Sequence, residues 1–214
     1  MNFKGIIIAG LAAASIIAGL AAASLSVPAD AATLASAITP LNIRSGPGPQ
    51  YSVVGAIPNR AQATIIGCAQ GSLWCQVSYN GQQGWAYSQY LIAELSGRSL
   101  VLAEDLNTVP QVVYEAPAET VGSAVPAPAI VGTLIAPPAA APPLSLAPPE
   151  TVNSYVVSHP ISPVYLNGEV VEGLGLPEDV AIAPVPGSEY DYAYVNGVPV
   201  LVEPSTRRVA YIYR

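Results

Sequence analysis

The chain has little charge, and least of all positive charge. Only 10% of its 214 residues are charged, seven Lys and Arg stand against fourteen Asp and Glu, and the formal charge is -7. Lys4 is its single lysine. A nucleic-acid partner needs a cationic face that displaces counterions, and docking on anionic lipid needs the same. Neither is expected here. His159 is the single histidine, and Cys68 and Cys75 are the only two cysteines. A zinc site takes about four N or S ligands, so no metal is expected. No G-x-x-x-x-G-K stretch occurs to cradle a nucleotide. The acidic residues Glu169, Glu172, Glu178 and Asp179 lack calcium-loop spacing and read as a solvated face. No cofactor is expected. His159 sits in Ser158-His159-Pro160, between two strand candidates. It reads as a surface-loop histidine rather than a member of a Ser-His-Asp set, and the chain reads as a non-enzyme.

The first residues look like an export address. Met1 to Lys4 is a short positive start, Gly5 to Leu25 is uncharged and apolar, and Ala29-Asp30-Ala31 offers an A-x-A site. This pattern predicts a signal peptide over 1–31 with cleavage after Ala31. The alternative is an uncleaved anchor, because the apolar run is long enough to span a bilayer. No cysteine lies near the site, which argues against a lipoprotein. Export predicts a periplasmic or secreted protein with no membrane contact after cleavage. It also permits a disulfide, which persists in oxidising compartments.

Leu41 to Ile92 is a series of short alternating runs. Leu41 and Ile43 share one face of a strand, Asn42 and Arg44 the other. Ser45 to Pro49 is a stiff Gly-Pro loop. Val53 to Ile57, Ala63 to Gly67, Trp74 to Tyr79 and Gly84 to Tyr87 are further strand candidates. Asn80-Gly81 predicts a type I′ hairpin turn, and Ser88 to Leu91 a closing helical turn. Five short strands in about fifty residues predict a small β-barrel. A two-residue turn at Gly71-Ser72 would set Cys68 opposite Cys75, with Cα atoms about 5.5 Å apart in a hydrogen-bonded pair, within reach of a disulfide. Two reduced cysteines are the alternative.

Leu41-Asn42-Ile43-Arg44-Ser45-Gly46-Pro47-Gly48, Trp74 to Val77, Gly84-Trp85 and Tyr90-Leu91 together resemble the bacterial SH3 (Src homology 3-like) domain. Ile43 stands for the family's valine and Ala86 for the valine after its Gly-Trp. The resemblance implies a five-stranded, partly open barrel over 36–94 that binds peptides or cell-wall material and performs no catalysis. Trp85 matches a packing position. Tyr51, beside the Gly-Pro loop, and Tyr87 are the better groove candidates, since tyrosine offers an apolar face with a polar handle. Trp74 and Tyr79 complete the ligand-binding candidates.

Residues 95–115 form a connecting segment in which Ser99 to Leu106 suits a helical turn or an extra strand. Residues 116–150 are rich in Pro and Ala, with almost no charge and no aromatics. They predict a disordered, semi-rigid spacer without a core. As the alternative, its prolines would serve the chain's own barrel as a P-x-x-P ligand, but no cation flanks them. Residues 151–214 read as a small β domain. Asn167-Gly168 and Asn196-Gly197 each mark a hairpin, and Pro204-Ser205-Thr206 turns the chain into a last strand over Arg208 to Tyr213. Tyr192, Tyr194, Asn196, Val200 to Val202, Pro204 and Thr206 to Val209 resemble a bacterial envelope family of unknown function, numbered 1236. The fold class is therefore mainly β: an SH3-like barrel, a linker and a C-terminal hairpin domain. The expected function is recognition of a cell-wall peptide such as peptidoglycan. The alternative is an envelope scaffold whose C-terminal domain contacts a protein partner.

Overall fold

Alternating runs and tight turns build the N-terminal half as expected. A computed structural model of the chain describes residues 33–95, 97–115, 128–135 and 147–214. The signal peptide, its cleavage at Ala31 and spacer residues 116–127 and 136–146 lie outside them. The strands are β1 (Thr33–Ala37), β2 (Leu41–Arg44), β3 (Val53–Ile57), β4 (Gln62–Ala69), β5 (Trp74–Tyr79), β6 (Gln82–Tyr87), β7 (Leu91–Leu95), β8 (Arg98–Val101) and β9 (Gln111–Val112). They form one sheet in the order β3-β2-β6-β5-β4-β1-β7-β8, with β9 added beside β4. All five expected strands are present, and β1, β7, β8 and β9 extend them. Asn80 (φ 48°) and Gly81 (φ 81°) make the β5–β6 turn, and a 3-10 turn over Ser88–Tyr90 leads into β7. The curved sheet buries Leu41, Ile43, Ile57, Val77, Ala86 and Leu91 in one core.

The Gly-Trp pair has a steric cause. A Cβ on Gly84 would meet the Arg44 carbonyl oxygen and Ile43 Cγ2 within 2.5 Å, so only glycine lets β2 cross β6 there. Trp85 then faces away from the barrel interior. It joins Ala69, Trp74 and Tyr87 in a second buried cluster, with Leu73, Val112 and Tyr114 packed around it.

Cys68 and Cys75 are disulfide-bonded, directly opposite each other on β4 and β5. Their Cα atoms are 3.8 Å apart, closer than the expected separation. The reason lies in the hydrogen bonds. The Cys68 N–H donates outward to the Pro110 carbonyl (2.8 Å), so the pair occupies a non-hydrogen-bonded position, where strands lie nearer. The turn also shifts by one residue. The Ser72 N–H donates to the Ala69 carbonyl, and Gly71 takes φ 71°.

The C-terminal half departs further from expectation. Ile130–Thr133 of the Pro/Ala segment forms β10. The first helix, α1 (Glu150–Ser158), follows where a β-like run was expected. Val152 and Val156, four residues apart, share its buried face and meet Tyr192 and Leu201. Then come β11 (Tyr165–Asn167), β12 (Ala183–Pro184), β13 (Asp191–Val195), β14 (Val198–Glu203) and β15 (Arg208–Ile212). The last four make an antiparallel sheet in sequence order. Its β13–β14 turn is the expected one, with Asn196 at φ 54° and Gly197 at φ 75°. Asn167-Gly168 does not form a hairpin. β11 instead pairs in parallel with β10. The Asn196 side chain accepts from the Leu166 N–H (2.8 Å) and donates to the Gly168 carbonyl (3.0 Å), leaving no returning strand a place.

Residues Ala32–Arg214 form a single unit. The barrel and the C-terminal sheet are therefore docked together rather than held apart by the spacer.

Candidate functional site

Asn42 and Arg44 lie on β2, on the face opposite the barrel core. That face is not solvated: both residues are fully buried. The Arg44 guanidinium forms an ion pair with Glu169, also fully buried, through Nε to Oε2 and Nη2 to Oε1. Its Nη1 donates to the carbonyls of Pro49 (3.0 Å), Tyr51 (2.7 Å) and Asn196 (2.9 Å). Asn42 Nδ2 donates to Glu169 Oε1 (3.0 Å), and Asn42 Oδ1 accepts from Arg214 Nε (3.0 Å). Glu169 is thus a correction to the solvated acidic face expected of it. It is a plug between the halves, and its lone pairs are met by Arg44, Asn42 and the Val170 N–H. A charged residue beside the apolar pair Val170-Val171 was the signal available in the sequence.

This network positions two clefts beside the Gly-Pro loop. The smaller, about 280 Å³, is lined by Pro47 to Gln50, by Leu73, Trp74 and Tyr87, and by Ile130 and Asn167 from the C-terminal half. Trp74 and Tyr87 stand 5.2 Å apart, and burial raises the Tyr87 pKa. The larger, about 550 Å³, runs between β2–β3 and the β13–β14 hairpin. Gln50, Tyr51, Tyr165, Pro199, Tyr213 and Arg214 are among its walls. Burial pushes the Tyr213 pKa up to about 12, with Tyr211 and Tyr194 adding to the effect. Burial also lowers the Arg214 pKa, against an opposite pull from Glu172 and Glu169.

The four candidate aromatics therefore separate. Trp74 and Tyr87 share the smaller cleft. Tyr51 faces the larger one and stacks edge-on against Tyr114 at 5.6 Å. Tyr79 packs against the barrel core and lines neither. The sequence reading missed Gln50, Tyr165, Tyr213 and Arg214, which meet only through the docking of the two halves.

His159 is exposed in a bend, as expected, but a helix rather than a strand precedes it. It ends α1, with Nδ1 facing the Tyr155 carbonyl at 2.9 Å and its ring stacked 4.1 Å from that of Tyr155. Among the described residues, no three of His, Cys, Asp or Glu gather as a metal site. Among them also, no helix is long and apolar enough to cross a membrane.

Comparison with known proteins fits this geometry. A stretch of 59 residues is 39% identical to a Bacillus subtilis (strain 168) protein named "Putative N-acetylmuramoyl-L-alanine amidase YrvJ". It covers 28% of this chain and 11% of that protein, so most of the relative has no counterpart here. Residues 155–214 match the domain of unknown function DUF1236. Residues 39–92 match the bacterial SH3 domain. The chain is thus a mainly β protein that carries a bacterial SH3 domain docked, through Arg44 and Glu169, onto a DUF1236 domain.

Proposed function

We propose that this protein is an exported, non-catalytic envelope protein whose SH3 domain holds a peptide-like cell-wall ligand, with peptidoglycan as its source. The observation that carries the reading is the smaller cleft. It sets the paired rings of Trp74 and Tyr87 beside the Pro47–Gln50 loop. A mostly polar lining with the edges of two buried aromatic rings at its base suits a peptide segment, which needs hydrogen bonds and apolar contact together. The disulfide fits an oxidising compartment. The similarity to a stretch of an amidase named for a cell-wall bond adds support.

Co-sedimentation of the protein from Ala32 with purified peptidoglycan tests this. Asn167 is exposed at the cleft mouth, so Asn167→Trp should block entry without disturbing a core. The expected result is retention of the wild type, loss in the variant and no release of soluble fragments. No retention of either protein would sink the reading. Retention of both would move the site away from this cleft. Fragment release that His159→Ala abolishes would make the protein an enzyme.

A further inference from the structure

The larger cleft has a different chemistry and shares only Gln50 with the SH3 groove. Its volume of about 550 Å³ falls within the roughly 300–1,000 Å³ of small-molecule sites. Tyr51, Tyr165 and Pro199 give it flat apolar walls. Its polar groups are of another kind. Four side-chain polar atoms among the described residues are buried without a hydrogen-bond partner, and two of them belong to residues of this cleft: the Tyr213 hydroxyl, and Gln50 Oε1, whose residue also borders the smaller cleft. Buried polar groups are nearly always paired, so two orphans on one cavity point to a partner that arrives from outside.

The wall also says which partner. No carboxylate side chain lines the cleft, and Arg214 is the one charged side chain there. That guanidinium already donates through Nε to Asn42 Oδ1 and through Nη2 to the Pro40 carbonyl (2.9 Å). Glu169 and Glu172 act on it electrostatically, and the whole chain carries -7, so the surroundings do not favour an anion. Tyr213 remains a neutral phenol over the physiological range, because burial holds its pKa near 12. Amide, phenol and part of a guanidinium remain, beside tyrosine faces. They complement a ligand that has many hydroxyl and amide groups and apolar ring faces, but no charge. We infer that the cleft between β2–β3 and the β13–β14 hairpin is a binding site for an uncharged, N-acetylated sugar of one or two rings.

Titration of the purified full chain with N,N′-diacetylchitobiose, followed by calorimetry and by amide NMR shifts, tests the inference. The expected result is saturable binding with shifts centred on Gln50, Gly197 and Tyr213. Tyr213→Phe keeps the ring and removes the hydroxyl, and Gln50→Ala removes the amide. Each should weaken binding about tenfold, as loss of one buried hydrogen bond would, with Tm unchanged for Tyr213→Phe. Asn167→Trp should leave sugar binding intact, even where it abolishes retention on peptidoglycan. Absence of saturable binding would overturn the inference. So would binding that both variants leave unaltered, or a preference of this cleft for triglycine over the sugar.

Discussion

The barrel half and the C-terminal half reach a packed core by different routes. In the barrel, β4, β5 and β6 follow one another through tight turns, a disulfide ties β4 to β5 through cysteines 7 residues apart, and β1 closes the sheet by pairing with both β4 and β7. In the C-terminal half, the decisive contacts join residues far apart. Asn196 holds the backbone at Leu166 and Gly168, and Glu169 reaches across to Arg44, 125 residues away. Local contacts form from local signals. Long-range ones need two distant residues to be right together. The difference teaches that the first half is held mainly by itself and the second by what it grips.

Removing the grip should have the largest effect. Glu169→Ala leaves the Arg44 guanidinium buried and unpaired, and breaking one partner of such a pair costs about 3–5 kcal/mol. Replacing both residues with apolar ones of similar volume should cost much less. Trp74 and Trp85 are the only tryptophans and both lie in the barrel. Urea unfolding followed by their fluorescence therefore reads the barrel alone. A fall in the fluorescence midpoint in Glu169→Ala would show that the barrel leans on the C-terminal half. An unchanged midpoint would mean that the halves unfold independently, and the contrast drawn above would be sharper still.

The disulfide comes next. Cys68→Ser with Cys75→Ser opens a loop of sequence separation 7. On the chain-entropy estimate this costs about 2.5 kcal/mol. The fluorescence midpoint should fall accordingly, while the tyrosine-rich C-terminal sheet, read by near-UV circular dichroism, should lose less. Equal losses in both would mean that the barrel's staple also supports its partner.

This contrast also explains what was legible in the sequence. Asn80-Gly81 and Asn196-Gly197 dictate their turns because both residues of each pair must take positive φ. Leu41 and Ile43 alternate into the core as their spacing requires. Asn167-Gly168 carried the same dipeptide signal and failed, because a side chain 28 or 30 residues onward had already taken its backbone groups. Helix α1 was signalled by Pro149 before it, Glu150 in its first turn and the Val152–Val156 spacing. Its β-branched run argued for a strand instead, and burial against Tyr192 and Leu201 overrode that preference. The Trp74–Tyr87 cleft was half legible, since Trp74 stands in one of the family's motifs and Tyr87 follows two residues after the Gly84-Trp85 pair. Its other wall, Ile130 and Asn167, and the whole of the larger cleft arise from docking, which no local pattern encodes.

Asn196 offers a middle-sized test. Asn196→Ala removes the acceptor of the Leu166 N–H and the donor to the Gly168 carbonyl, and it places alanine at φ 54°. Leaving buried groups unpaired costs about 1–3 kcal/mol. Hydrogen exchange should rise first at Leu166. Asn196→Gly relieves the backbone strain but not the lost bonds, so it should recover only a minor part of the stability. Full recovery in Asn196→Gly would make the turn, not the clamp, the important feature.

The smallest effect is electrostatic and joins the two halves directly. Tyr90 packs against both the barrel core and the aromatic cluster. Burial raises its pKa to about 12, with further increments from Tyr87 and from Glu169 of the other half. An unfolded tyrosine ionises near 10. The folded state therefore holds this proton more tightly. The associated stability is fully present below pH 10 and is lost as the pH rises through 12. Alkaline unfolding should accordingly steepen between those values. Tyr90→Phe removes the ionisable group, so its stability should fall less across the same window than that of the wild type. Absorbance of tyrosinate at alkaline pH, followed alongside circular dichroism, measures both. An identical pH slope in wild type and Tyr90→Phe would assign the alkaline transition to other groups, Tyr213 first among them, whose pKa is raised to about 12 within the C-terminal half. The transition would then begin in the half that grips rather than in the half that is stapled.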